Sequence, residues 1–308
     1  MLFRSQASCP LCGEAVSSKT FAVISPWIRE LGIKARLSRY FVCKNCETGF
    51  FTKRYSENEM SDIYSEYRGA NYLRKRSKWE PWYTISYNSN HDSDRWIELR
   101  KKSLTEFLSR ADLNICNTIV DVGGDRGQYI PDIASTKIVL ELSEKVLCEN
   151  VTRINRIEDS PFADLFVYAH VLEHVSNPMQ ELEALFQKTN KVYVEVPFGI
   201  PENNKNQRSY RRLLLHLISS FIPRLWSRNT RPATGRKVSA SKMLTQSEHL
   251  TFFSEKSFAE IAKILNVNLV IERNTISTPD FSESSVLQCL LTKKLDLDLD
   301  KGTTKEKQ

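Results

Sequence analysis

No stretch of this 308-residue chain approaches the roughly 20 apolar residues that a membrane-spanning helix needs. The opening run MLFRSQASCP lacks the apolar core of a secretory signal. The expected compartment is therefore the reducing cytoplasm, where seven cysteines are metal ligands or core residues rather than disulfides. Glycine and proline are sparse, at 10 and 11 residues, and 41% of the chain is apolar, which excludes collagen-like and wholly disordered chains. No internal repeat is found, and the length suggests about two domains.

Charge is present and uneven. Lys and Arg number 44 against 37 acids, a net of +7. Residues 201–247 hold Lys205, Arg208, Arg211, Arg212, Arg224, Arg228, Arg231, Arg236, Lys237 and Lys242 against Glu202 alone, so this segment carries +9 and the remainder −2. A local basic patch predicts an anionic partner: a phosphate, a nucleotide diphosphate, nucleic acid or an acidic membrane surface.

Four of the seven cysteines form two knuckles, Cys9-Pro10-Leu11-Cys12-Gly13 and Cys43-Lys44-Asn45-Cys46. Each pair can bite one metal ion, and two pairs complete a tetrahedral thiolate site of the kind Zn²⁺ accepts without redox chemistry. Four filled positions leave none for water, so this zinc is expected to fold a module at 1–55 rather than catalyse. Cys116, Cys148 and Cys289 read as core residues.

Beyond the knuckles, residues 56–115 form a helical, aromatic-rich segment. Ser56 and Glu59 predict a capping box at a helix start, and Trp96–Leu108 has apolar residues at helical spacing. From Asn117 the texture changes to apolar runs at Thr118–Val122, Lys137–Leu142, Asn150–Ile154, Asp164–Ala169 and Lys191–Val196. They read as parallel strands buried on both faces, joined by crossover helices of which Pro178–Phe186 is the clearest. Ser254 is placed as the N-cap of a helix to Leu265, before two last strands at Asn268–Arg273 and Val286–Thr292. Residues 295–308 form a polar, low-complexity tail expected to be disordered. The fold class is thus α/β, a doubly wound Rossmann-like sheet over 116–294 that carries the basic insertion 201–247.

Asp121-Val122-Gly123-Gly124-Asp125-Arg126-Gly127 reads as a strand entering a glycine turn and then a helix, a layout that lets a ligand approach backbone amides closely. Glu141 ends the next strand about 20 residues on, where a doubly wound fold places a carboxylate for ribose hydroxyls.

Here the sequence resembles class I S-adenosylmethionine-dependent methyltransferases. Asp121 to Gly127 is similar to their D-x-G-x-G-x-G loop, with Asp125 in place of the middle glycine. Tyr168-Ala169-His170-Val171-Leu172-Glu173-His174-Val175, followed by Asn177-Pro178, is similar to their fourth-strand signature, and Val194-Glu195-Val196-Pro197 to their fifth strand. His249-Leu250-Thr251-Phe252-Phe253-Ser254 resembles the element before their last helix. With the knuckles, the whole chain resembles the zinc-ribbon methyltransferases of carbohydrate modification and sugar biosynthesis.

The resemblance implies that Gly123, Gly124 and Gly127 pass beneath the methionine part of S-adenosylmethionine. Asp121 would lie near its ammonium group, Glu141 on the ribose hydroxyls, and Leu142 and His170 beside the cofactor. Asp125 departs from the pattern; it tolerates positive φ, and its charge is expected to favour the sulfonium. Glu158 and Asp159 are alternative acids on the adenine side. His170 and His174 share a face if a helix has begun between them. His174 is the first candidate base and His249 the second, while His91 and His216 carry no assignment. The acceptor class implied is a sugar or glycan precursor, and the basic insertion adds a further reading in which that acceptor bears phosphate through a nucleotide or a lipid. The apolar, arginine-flanked run Leu213–Trp226 reads as a lid, as an interfacial helix touching the inner membrane surface, or as a dimer or core helix. The alternatives are an RNA methyltransferase and a non-catalytic binding protein with a degenerate loop.

Overall fold

The computed structural model describes residues 5–18, 20–89, 92–201, 210–230, 244–278 and 281–294. The tail at 295–308 and the basic residues Lys205, Arg208, Arg231, Arg236, Lys237 and Lys242 lie outside the described residues, as does His91.

The amino-terminal part holds strands β1 (Ser5–Ser8), β2 (Ala15–Ser18), β3 (Thr20–Ile24), β4 (Leu37–Val42) and β5 (Gly49–Phe51), with helix α1 (Pro26–Glu30) after β3. Helices α2 (Glu57–Tyr64), α3 (Ala70–Trp79), α4 (Ile85–Ser89) and α5 (Asp94–Arg110) follow. Ser56 and Glu59 close the expected capping box on α2. Next come β6 (Cys116–Val122), β7 (Ala134–Leu140), β8 (Val151–Ile154), a 3₁₀ turn at Ile157–Asp159, β9 (Leu165–Ala169), α6 (Pro178–Leu185) and β10 (Lys191–Pro197). The remainder is α7 (Tyr210–Ser219), α8 (Pro223–Thr230), β11 (Leu244–Gln246), β12 (Thr251–Phe252), α9 (Glu255–Ile264), β13 (Val267–Thr278) and β14 (Phe281–Lys293).

Seven strands form the main sheet in the order β13-β14-β10-β9-β6-β7-β8, parallel from β10 to β8, with β14 antiparallel to both its neighbours. This is the expected Rossmann-like α/β sheet, and the chain reverses its direction of travel between β6 and β9. In open α/β sheets, ligands enter at such a reversal, outside the carboxyl ends of the strands. One face is covered by α5, whose Leu104, Phe107 and Leu108 pack on Ile119, Val167 and Tyr193. The other is covered by α6 and α9 through Met179, Leu182, Phe258 and Ile261.

Two expectations are corrected here. No helix follows the glycine turn, because only residues 123–133 separate β6 from β7 and they form successive turns that run into β7. Residues 141–150 between β7 and β8 likewise form no helix. The two connections, residues 123–133 and 141–150, fall short of the dozen or so residues that a helical crossover between parallel strands needs. As a result β7 and β8 are only partly buried, whereas β9 and β10 are buried along nearly their whole length as expected.

A second sheet has the order β11-β3-β4-β5-β12, so strands from residues 20–51 are completed by two short strands from 244–252. Its core is aromatic: Trp27, Tyr55, Tyr72, Trp79 and Tyr83 pack with Trp226 of α8 and Leu250. The insertion thus contributes buried side chains as well as charge. His216 is buried against Trp226, ring centroids 4.7 Å apart.

Candidate functional site

The four knuckle sulfurs converge. All four Sγ atoms lie within 4.8 Å of one another, with Cys9 to Cys46 at 3.5 Å and Cys12 to Cys43 at 3.6 Å. Sulfurs held at about 2.3 Å from a tetrahedral ion stand about 3.8 Å apart, so the set fits Zn²⁺. Gly13 supplies the turn: its φ is +73°, and its amide donates to the Cys9 carbonyl at 3.0 Å. The second knuckle is locked to α9, where the Ser257 hydroxyl donates to the Cys46 carbonyl at 3.0 Å. Cys116 and Cys289 are buried as expected, but Cys148 is only half-buried, in the 141–150 loop.

At the carboxyl end of β6 the chain turns tightly around Asp121. A Cβ at Gly124 would meet the Asp121 carboxylate at 2.4 Å, and one at Gly127, where φ is +76°, would meet Val151 at 2.7 Å. Gly123 also has positive φ. Asp125 adopts φ +56°, a left-handed value that Asp tolerates better than most residues. Its charge is not free to favour a cation, because Lys145 pairs with it at 2.9 Å. Burial pushes the Asp121 carboxyl up to about 7 against the opposing pull of Arg100.

Glu141 ties the two loops together. Its carboxylate accepts from the Asp125 amide at 3.1 Å and from the Ser143 amide at 2.9 Å. Leu142, next to it, is 57% exposed. Glu158 and Asp159 sit on the exposed 3₁₀ turn beyond β8. Spacing does not disclose Lys145, since its role exists only once the 141–150 loop folds over the glycine turn.

The histidines occupy the ends of β9 and β12. No helix has begun at 170–174; His170 has φ +58°, and residues 172–174 form a turn, α6 starting only at Pro178. The shared helical face expected for His170 and His174 is therefore absent. They meet instead on Glu173, which is 2% exposed: His170 Nδ1 is 3.4 Å and His174 Nε2 3.8 Å from its Oε1. His170 Nε2 lies 3.2 Å from Glu195, which Arg100 also pairs at 2.8 Å. Burial and Arg100 disfavour the His170 imidazolium, but Glu173 and Glu195 outweigh them and hold its pKa above the ordinary value. Burial also works against ionisation of Glu173, yet the three surrounding histidines bring its carboxyl down to about 2.

His249 reaches the same place from the second sheet. Its ring is edge-on to His174 with centroids 4.7 Å apart, and burial brings its pKa down to about 4. Tyr64 at the end of α2 lies edge-on to the other side of His174, at 5.8 Å. Arg54 holds the junction, donating to the carbonyls of Val175, Ser176 and Leu250 and to the Thr251 hydroxyl. Arg54 and Arg100 carry no local motif, and Tyr64 stands out in the sequence only as one aromatic of the helical segment.

No family model matches the chain, and no curated protein matches it. Among solved structures it is similar to the plantazolicin methyltransferase BpumL in complex with SAH, at 13% identity over 72% of this chain and 96% of that one, TM-score 0.41. It is also similar to magnesium protoporphyrin IX methyltransferase (ChlM) from Synechocystis PCC 6803 with bound SAH, at 13% identity over 64% and 84%, TM-score 0.35. A third is the N-terminal domain of EvdMO1 with SAH bound, at 13% identity over 66% and 85%, TM-score 0.37.

Proposed function

We propose that this chain is an S-adenosylmethionine-dependent methyltransferase acting on a small-molecule acceptor, a sugar or glycan precursor. The observation that carries this reading is the contact of Glu141 with the Asp125 amide, which brings a ribose-type carboxylate against a glycine turn at the sheet's reversal point. Gly123, Gly124 and Gly127 let the turn close tightly on Val171, Asp121 and Val151, and Asp121 is the buried acid beneath them. Leu142 and His170 follow β7 and β9, the strands on either side of β6. S-adenosylmethionine, when bound, supplies an activated methyl group on a sulfonium, so the protein's work is positioning and desolvation. His174 and His249 are the candidate takers of an acceptor proton. His170, held toward its charged form by two carboxylates, is the poorer base. Zn²⁺ on Cys9, Cys12, Cys43 and Cys46 would be structural, since no ligand position is left for substrate.

The exposed face of α7 and α8 favours one further element of this reading. Leu214, Leu215, Ile218, Phe221, Ile222 and Leu225 are exposed together, next to Arg211, Arg212 and Arg224. Such a face suits the headgroup depth of an anionic membrane and hence a lipid-linked, phosphate-bearing acceptor.

Calorimetric titration of the zinc-loaded protein with S-adenosylmethionine and with its demethylated product tests the reading. Micromolar binding that Glu141→Ala abolishes is expected. No binding by well-folded protein overturns it.

A further inference from the structure

Glu173 is the most anomalous buried group among the described residues of the site. Both of its carboxylate oxygens are buried without a hydrogen-bond partner, and so is Nδ1 of His174. A buried carboxylate normally accepts several hydrogen bonds or binds a cation, since desolvation without compensation is costly. Here imidazoles surround it, and one ligand atom from each of Glu173, His174 and His249 lies within 4.8 Å of the others.

We propose that Glu173, His174 and His249 form a second metal site, for one divalent ion of the Mn²⁺ to Zn²⁺ series, distinct from the thiolate site. One carboxylate and two imidazoles are hard and borderline donors suited to these ions, and three protein ligands leave positions open. Around an ion with bonds of about 2.1 Å the donor atoms stand about 3 to 3.5 Å apart, so side-chain rotation of about an ångström closes the set. The ligands come from well-fixed backbone: the Glu173 carbonyl accepts from the Leu250 amide at 2.8 Å and the Thr251 amide at 3.1 Å, joining the two ligand-bearing segments. Glu248, paired with Arg76 at 2.6 Å, lies near enough for its field to reach both imidazoles. His170, between Glu173 and Glu195, lies 3.4 Å from the same Glu173 oxygen that His174 approaches and helps to fix the carboxylate. The open positions take oxygens of an acceptor, hydroxyl or carbonyl. That use rests on the methyl-transfer reading, while binding of the ion does not.

The test is titration of the full-length, zinc-loaded protein with Mn²⁺ alone, read by the loss of the free-ion electron paramagnetic resonance signal. One Mn²⁺ per chain is expected, with affinity lowered at least tenfold in both His249→Ala and Glu173→Gln. Near-ultraviolet circular dichroism establishes that each variant is folded, and His249→Gln replaces any that is not. Failure of folded wild-type protein to bind Mn²⁺, or equal binding by the folded variants, overturns the proposal. Titration with S-adenosylmethionine in metal-free buffer separates the two readings. Cofactor binding without Mn²⁺ binding removes the metal site alone, and Mn²⁺ binding without cofactor binding leaves the metal site standing and removes methyl transfer.

Discussion

His249 lies edge-on to His174, the two rings 4.7 Å apart, although one follows the short strand β11 of the second sheet and the other follows β9 of the main sheet. Two devices create this meeting. The Glu173 carbonyl accepts two amides from residues 250 and 251, and Arg54 bridges both segments with four hydrogen bonds. The site therefore depends on the docking of one sheet to the other.

Arg54→Ala is expected to loosen that junction. Four bonds from one guanidinium are lost and several carbonyls are left unsatisfied, which predicts a destabilisation of about 3 kcal/mol or more. Arg54→Lys keeps the charge but not the planar fork, and it should recover only a minor part. Urea midpoints of the three proteins measure this; a lysine variant as stable as wild type would refute it.

Zinc removal is expected to destabilise the whole chain and not only its first residues. Cys9, Cys43 and Cys46 belong to the same apolar cluster as Val120, Phe166 and Phe258 of the main domain, and Ser257 bonds directly to the Cys46 carbonyl. One zinc per chain should be found by elemental analysis. Cys43→Ser should lower the main thermal transition, followed by circular dichroism, rather than add a separate early one. An unchanged main transition would show that the two parts fold independently.

Cofactor affinity should depend on pH through Asp121. Its buried carboxyl is pushed up to about 7, so at pH 6 the free protein holds it mostly neutral. A cofactor ammonium needs the carboxylate, and binding must then expel a proton. Affinity should rise as pH increases from 6, by up to about tenfold per unit below the shifted value, and level off above about pH 7. Titrations at pH 6, 7 and 8 test this against Asp121→Asn, which should bind weakly with no such slope. A sloped profile in the variant would assign the effect to another group.

The apolar face of α7 makes a membrane prediction. Wild-type protein should sediment with vesicles containing anionic phospholipid and release at high salt, while Leu215→Glu with Ile218→Glu should stay in the supernatant. Equal sedimentation of the double variant would exclude this face as the contact.

Much of the main sheet was legible because its signals are local. Apolar runs mark β6, β9 and β10, and the Ser56 and Ser254 caps mark the starts of α2 and α9, the latter with Ser257 completing its box. The helix expected after the glycine turn failed because a strand-turn motif says nothing about how much chain remains before the next strand. The expected single helical face for His170 and His174 failed because spacing of four implies a face only inside a helix, and residue 170 has left-handed backbone.

By itself the sequence determined the two knuckles, the order of the strands along the chain, the acid at the end of β7 and the local caps. These depend on residues within one or two turns of each other, where backbone geometry leaves few choices. Only the tertiary structure decided that Lys145 neutralises Asp125, that residues 244–252 complete the second sheet, and that Glu173 stands unbonded among three histidines. Those relationships join segments far apart in the chain, so they arise from the packing of one core on another and leave no periodic trace in the sequence.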